Sequence, residues 1–472
     1  MSKHRLGPPP IVYLLLLLLL GGAAYFGLNR TPTPQITSPL DDSQETAPVL
    51  SVAGQISQGE HLLITADATP EKQAGIQAMV AGDFSTAIQE LEKARQAVRQ
   101  DPETLIYLNN AQAAGATSLK IAVSVPIGSN LNVAQEILRG VAQAQQEINQ
   151  SGGIGGAKLQ VVIANDQNNP QIAEKIAREF VENREILAVV GHNSSNVSLA
   201  AAPIYQQGRL VMISPTSDAK ALSGIGNYIF RTIPSVRFQA DTLSRYSMQQ
   251  ARLTSLVICA DESAVYSQSL KDEFTSAIFA DGGRIANVNC DLAASDFNAN
   301  QIISEAIAAG ADGLFLIPSI DRLRQAIAVA RANQGKLTLL GSSAMYTFQT
   351  LQQGQADVND LVLAVPWHPS AFANNSFSNN ANQLWGGPVN WRTAMAYDAT
   401  LAIIAGLQQN PTRTGVQSNL TRPNFAAQGS TGTIEFLPSG DRNAPAILVK
   451  IQPSTLSGTG YDFVPIGNSA VE

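Results

Sequence analysis

Four histidines and two cysteines are all that 472 residues offer to a transition metal. They are scattered at His4, His61, His192, His368, Cys259 and Cys290. No C-x-x-C, H-E-x-x-H or His-rich tract can therefore assemble a local zinc site, and no cofactor or metal is expected. A G-x-x-x-x-G-K-[ST] loop and a G-x-S-x-G elbow are also missing, which removes a P-loop nucleotidase and an α/β-hydrolase. Charge is scarce: 14% of residues carry it, 30 basic against 37 acidic, for a formal net charge of −7. Lys/Arg-rich runs are absent, and with them the concentrated positive charge that phosphate backbones require, so nucleic acid is not an expected partner. Aromatics are 6%, whereas apolar residues reach 44% beside 36 Gly and 24 Pro, the composition of a globular body with loops.

The one long apolar run covers residues 11–28, with seven consecutive leucines and no charge. As a helix it would span about 27 Å, marginal for the hydrocarbon core of a bilayer. A signal peptide cut near Ala23-Ala24 and an uncleaved signal anchor are the two readings. The run exceeds the usual h-region, which favours an anchor over residues 1–30. Lys3 and Arg5 precede it and only Arg30 follows before Lys72. The positive-inside tendency then places the body outside the cytoplasmic membrane, in the periplasm or beyond. Residues 31–54, with Pro32, Pro34, Pro39 and Pro48, read as a disordered tether.

Residues 55–116 are expected to form a separate helical module. Gly82-Asp83 breaks the pattern, Ala87, Leu91, Ala94 and Val98 share one helix face, and Asp101-Pro102 starts a third helix. The string Gly75, Gly82, Phe84, Ala87, Leu91, Ala94, Pro102 resembles a tetratricopeptide repeat. A single repeat cannot bury its own face, so it docks on the neighbouring domain or on a protein partner.

From residue 117 apolar β-rich runs (120–125, 159–164, 186–191, 210–214, 255–259, 285–290, 313–317, 337–341, 361–366) alternate with helical patterns (132–149, 170–182, 196–207, 237–249, 268–280, 300–309, 322–333, 391–407). Continuous Val/Ile/Leu strands with crossover helices predict a doubly wound α/β fold with parallel sheets. The length predicts two lobes with a cleft at the carboxyl ends of their strands. The glycine-rich run at 151–156 follows a helix and precedes a strand, so it reads as a turn and not as a dinucleotide loop. Cys259 and Cys290 end two neighbouring strands, and both a disulfide and two buried thiols are open readings.

The segments 119–126, 149–156, 188–195 (AVVGHNSS), 211–216 (VMISPT), 228–232 (YIFRT), 390–399 (NWRTAMAYDA), 429–436 and 440–442 together resemble the branched-chain amino-acid-binding proteins of ABC importers, which are type I periplasmic binding proteins. That resemblance implies two lobes joined by three crossings near 235, 367 and 430. Lobe 1 would take 117–235 and 368–429, and lobe 2 would take 236–367 and 430–460. It also implies an extracytoplasmic binder that is not an enzyme, working with an ABC permease.

An amino-acid ligand needs donors for its carboxylate and acceptors for its ammonium, and strand-to-helix junctions supply the donors. Residues 192–195 and 215–218 lie at such junctions, although Ser, Thr and Asp are also ordinary helix caps. By the resemblance Ser195, Thr216, Ser217 and Asp218 match the first-lobe anchors, and Tyr266 the aromatic that covers the ligand. Ser319 and Ser343 stand where the family has a tyrosine and its ammonium-binding glutamate. Asp218 and Asp321 are the carboxylates that could replace that counterion. Otherwise the ligand is an amide, a urea-like compound, a short peptide or a small carboxylate. Trp367 is a candidate cleft residue, whereas Trp391 and Tyr397 read as core. The expected function is a solute-binding protein that captures a small polar ligand for ABC-type import. The alternative is a membrane-tethered sensor that couples lobe closure to a signalling partner.

Overall fold

The computed structural model describes residues 52–66, 68–372 and 376–467. The expected anchor at 11–28 lies outside the described residues, as does nearly all of the tether. Among the described residues no helix is long and apolar enough to cross a membrane.

Strands buried on both faces are written as unbroken apolar runs, and these build two sheets. In the first lobe β1 (Ile56–Ser57), β2 (Ser118–Val125), β3 (Lys158–Asn165), β4 (Ile186–Val190), β5 (Val211–Ser214) and β6 (Ile229–Arg231) lie in the order β1-β3-β2-β4-β5-β6. All pairs are parallel except β1 with β3. Helices α1 (Pro70–Val80), α2 (Phe84–Ala97) and α3 (Pro102–Gln112) precede β2, and α4 (Leu131–Gln150), α5 (Pro170–Glu182) and α6 (Ser195–Gly208) follow β2, β3 and β4. The strand order reverses between β2 and β4, the kind of switch point at which open sheets take ligands.

The second lobe begins with α7 (Val236–Arg245) and continues through β7 (Ser255–Ala260), α8 (Val265–Ala280), β8 (Arg284–Ile285), α9 (Ala299–Ala308), β9 (Gly313–Ile317), α10 (Leu323–Asn333), β10 (Thr338–Gly341), α11 (Phe348–Gly354) and β11 (Val362–Val365). The chain then returns to the first lobe with α12 (Ser376–Trp385), α13 (Trp391–Gln409), α14 (Arg413–Leu420) and the hairpin β12 (Ala427–Gly429) to β13 (Gly432–Ile434). It ends on β14 (Ile447–Pro453) and β15 (Tyr461–Pro465), antiparallel additions that complete the order β15-β14-β11-β10-β9-β7-β8. The second switch point falls between β7 and β9.

Residues 55–116 are not a separate all-α module. Strand β1 pairs with the outer edge of β3, and the Asn110 side chain extends that pairing as a surrogate strand. Its amide donates to Val161 O at 2.8 Å and its carbonyl accepts from Val161 N at 3.0 Å. Every residue of α3 from Pro102 to Ala111 is buried. Beneath it the Glu103 carboxylate accepts from Leu63 N at 2.7 Å and pairs with the buried Lys72 ammonium at 2.7 Å, which also meets Asp101 at 2.6 Å. The segment thus covers an edge that would otherwise present unpaired amides.

The expected strand at 285–290 is also shorter, only Arg284–Ile285, after which an isolated bridge joins Ala260 to Asp291. There Cys259 and Cys290 are joined as a disulfide with Cα atoms 4.6 Å apart.

Two buried ion pairs tie the crossings to the first lobe. Arg231 meets Asp441 at 2.5 Å, and Arg442 meets Asp398 at 2.5 Å. Gly440 takes φ +81°, and a Cβ there would lie 2.2 Å from Ile229 O, so this approach needs glycine. The same holds at Gly140, where a Cβ would lie 2.3 Å from Thr393 O and would force α4 off α13. The third crossing accordingly lies past Arg442, which bridges to Pro234, and before Ile447, later in the chain than position 430.

Candidate functional site

Both switch points face each other across one small pocket of about 80 Å³. Strand ends of both lobes line it: Asn168 after β3, Asn193, Ser194 and Asn196 after β4, Thr216 and Asp218 after β5, Ala264 and Tyr266 after β7, Ser319 and Ile320 after β9. Ser343 and Ala344 follow β10, and Trp391 with Arg392 form the first turn of α13. A larger cavity of about 470 Å³ continues past Ile320 and Arg392, which line both, toward Glu136, Thr347 and Phe348. A groove of about 660 Å³ between the N-terminal segment and the first lobe lies at Ser118, Lys120 and Glu185, the amino ends of β2 and β4. It is at the wrong edge of the sheet for a ligand at a switch point.

Of the residues expected from sequence, Thr216, Asp218, Tyr266, Ser319 and Ser343 meet in the pocket, whereas Ser195 and Ser217 stand behind its wall. Ser195 is 2% exposed, and its hydroxyl accepts from Ala219 N at 3.3 Å. Ser217 Oγ lies 3.1 Å from Asn193 O, 3.2 Å from His192 O and 2.8 Å from Ser198 Oγ. The His192 carbonyl also accepts from Ser214 Oγ at 2.8 Å. Thr216 lines the pocket while its hydroxyl donates to Asn193 O at 2.7 Å. These hydroxyls are the rivets of the two first-lobe loops. Ser194 is the cap of α6, accepting from Val197 N. The His192 imidazole is fully buried, its Nδ1 2.7 Å from Asp166 and its Nε2 3.2 Å from the Tyr205 hydroxyl.

The pocket itself holds polar atoms without partners among the described residues. Tyr266 Oη, Asn168 Oδ1 and Trp391 Nε1 are buried with no hydrogen-bond partner among the described residues, as is Ser342 Oγ next to Ser343. A buried polar group left unpaired costs about 1–3 kcal/mol, so three lining residues are poised to gain from a polar ligand. Burial pushes the Asp218 carboxyl up to about 7 despite the opposing pull of Arg231 and its hydrogen bond from Gln239. Burial also raises the Tyr266 hydroxyl and lowers the Arg392 guanidinium to about 10.

The lobes are held shut by direct bonds. Asn196 of α6 accepts from Val265 N at 3.0 Å, and so supplies an acceptor to a helix whose own cap residue, Ala264, has none. Gln239 of α7 donates to Asp218, and Lys220 meets Glu273 at 2.8 Å. Asn168 donates to Asp321 at 3.4 Å, so Asp321 serves at the rim and does not line the pocket.

Sequence reasoning passed over Asn168, Asn193, Asn196 and Arg392, and took Trp391 for core. The asparagines sit at the same strand ends as the chosen hydroxyls, so the junction rule could have found them. Trp367 is fully buried, edge-on to Phe377, and does not line the pocket, and the Tyr397 hydroxyl donates to Glu147 at 2.6 Å.

Residues 118–452 match the family model described as periplasmic binding protein, and the match leaves the N-terminal helices outside it. Among curated proteins the chain is similar to the leucine-, isoleucine-, valine-, threonine- and alanine-binding protein of Pseudomonas aeruginosa, 28% identical over 41% of this chain and 52% of that one. It is also similar to the Leu/Ile/Val-binding protein of Escherichia coli, 29% identical over 38% of this chain and 50% of that one. The chain thus spans about half the length of these curated relatives. Among solved structures a leucine binding protein from Thermotoga maritima shares the fold at a TM-score of 0.65 and 19% identity, covering 75% of this chain and all of that one. With the family model spanning well over half of its residues, the chain belongs to the periplasmic binding protein family.

Proposed function

We propose that this protein is an extracytoplasmic solute-binding protein that captures a small polar ligand between its lobes and delivers it to an ABC permease. The observation that carries the reading is the interlobe pocket at both switch points, lined by buried polar atoms that lack partners among the described residues. Family membership and the amino-acid-binding relatives support it. Thr216, Asp218, Tyr266, Ser319 and Ser343 contact the ligand, and Ser195 and Ser217 hold the first-lobe loops in place behind it.

A thermal-shift screen of the full chain against amino acids, amides, urea-like compounds, short peptides and small carboxylates tests it. A ligand at a hundred times its Kd stabilises the native state by about 2.7 kcal/mol. A selective shift is expected, together with copurification of a permease from membranes. No shift with any compound class would refute the reading.

A further inference from the structure

Among the described residues Arg392 is the only cation lining the inner pocket, and it is 4% exposed. Of the five N–H donors of its guanidinium, Nη1 donates to Tyr346 O at 3.1 Å, and the side chain forms no ion pair within 4.0 Å among the described residues. The guanidinium lies over the Trp391 ring, 4.4 Å from its centre, which fixes its plane without using its donors. Arg392 and Trp391 are the first two residues of the 19-residue helix α13, whose dipole adds positive potential at the same spot, although Asn390 caps Arg392 N and the Glu136 carboxylate accepts from Asn390 N and the Thr393 hydroxyl. Trp391 Nε1, on a side chain 2% exposed, is a further unpartnered donor there. The Glu136 carboxylate borders the adjoining cavity and acts on Arg392 through space but makes no ion pair with it within 4.0 Å, so the spare donors of this buried guanidinium stay open to an anion, and its planar fork matches a carboxylate. The first-lobe hydroxyls offer less: Thr216 already donates to Asn193, and Ser195 and Ser217 are behind the wall.

We propose that Arg392 is the anion partner of the ligand, so that the cleft selects a small carboxylate-bearing molecule whose acid group docks at the first turn of α13. This rests on the interlobe pocket being the ligand site. Among the described residues the other charged group lining the inner pocket is Asp218, which forms no ion pair with Arg392 within 4.0 Å. Ile320 and Arg392 also border the larger cavity, so the remainder of the ligand can extend past them.

The test uses matched pairs that differ only in charge: amino acids with their amides, benzoate with benzamide, and acetate with acetamide. Binding to the full-length protein is measured by thermal shift and titration calorimetry. At least one acid should bind tenfold or more tightly than its amide. Arg392→Gln should erase that preference by weakening the acid at least tenfold, and Arg392→Lys should retain part of it. An amide that binds the wild-type protein as well as its acid, or an unchanged preference in a folded Arg392→Gln, overturns the proposal. Should Arg392→Gln fail to fold for loss of its bond to Tyr346, the wild-type ratio and the lysine variant decide. A neutral compound that binds while every acid fails sinks the role of Arg392 alone. Silence from all compounds sinks the binding-protein reading with it.

Discussion

The two lobes share one plan and use their hydroxyls in opposite ways. In the first, the hydroxyls of Ser195, Ser214, Thr216 and Ser217 are bonded within the lobe, to Ala219, His192 and Asn193. In the second, the buried Tyr266 Oη and Ser342 Oγ neighbour each other yet make no hydrogen bond of good geometry among the described residues. The hydroxyls of one lobe therefore hold a rigid wall and those of the other have most to gain from a ligand, while in the first lobe that gain falls to Asn168, Trp391 and Arg392. Closure driven by a ligand is a shift between populations, and only contacts made in the closed form can drive it. A hydroxyl at a strand end is thus no measure of what a ligand meets until its existing bonds are counted.

The largest test of this contrast is deletion of residues 1–116. A chain starting at 117 loses β1, the Asn110 pairing with Val161 and the buried α3. Its first lobe should be destabilised by at least about 4 kcal/mol, since several buried side chains and hydrogen bonds go together. Thermal unfolding should then show an early transition for that lobe alone. Unfolding like that of the full chain would mean that the segment is an independent module after all.

Next in size is Asp218, which faces Arg231, Gln239, Tyr266 and Arg392. Its carboxyl has an ordinary value of 3.8 and stands at about 7 in the fold. Between those values the folded state binds a proton that the unfolded chain does not. Its contribution to stability therefore rises as pH falls through that window, and the full penalty is present above about 7. Asp218→Asn should stabilise the ligand-free protein by about 1–3 kcal/mol at pH 8 and by almost nothing at pH 4. Denaturant titration at both pH values measures it, and an equal effect at both would show that the charge is not the cause.

Single hydroxyls give smaller effects. Ser195→Ala removes the acceptor of Ala219 N and should cost about 1–2 kcal/mol of stability, read from denaturant midpoints, while ligand affinity changes little. The smallest effect is expected at the closure bond. Asn196→Ala withdraws the acceptor from the first turn of α8 and should weaken binding by about 0.5–1 kcal/mol in calorimetry without lowering the stability of either separate lobe. Loss of stability with unchanged affinity would move Asn196 from closure to structure.

The doubly wound body was legible because parallel strands buried on both faces are unbroken apolar runs, as in β4 and β9. What escaped was short or polar: β1 has two residues, α11 and α14 carry Gln, Thr and Asn, and β14 and β15 join antiparallel from beyond the third crossing. The buried pairs Arg231–Asp441 and Asp398–Arg442 show why the segments YIFRT, NWRTAMAYDA and 440–442 carried the resemblance: they fasten the crossings. Strand-end placement found the pocket, but sequence could not tell which of two adjacent residues faces it, as Thr216 does and Ser217 does not. Arg392 was hidden inside a helical pattern whose apolar residues pack on α4, and only the fold brings its first turn to the cleft.

The interlobe pocket as the ligand site is tested most directly by the affinity of Tyr266→Ala for the compound that stabilises the wild-type protein best. Tyr266 closes the pocket from the second lobe, and its buried hydroxyl makes no hydrogen bond of good geometry among the described residues, with Ser342, Ser343 and Ala344 beside it. The affinity should fall at least tenfold, about 1.4 kcal/mol or more, with circular dichroism unchanged. An affinity within twofold of wild type in that folded variant would place the ligand elsewhere.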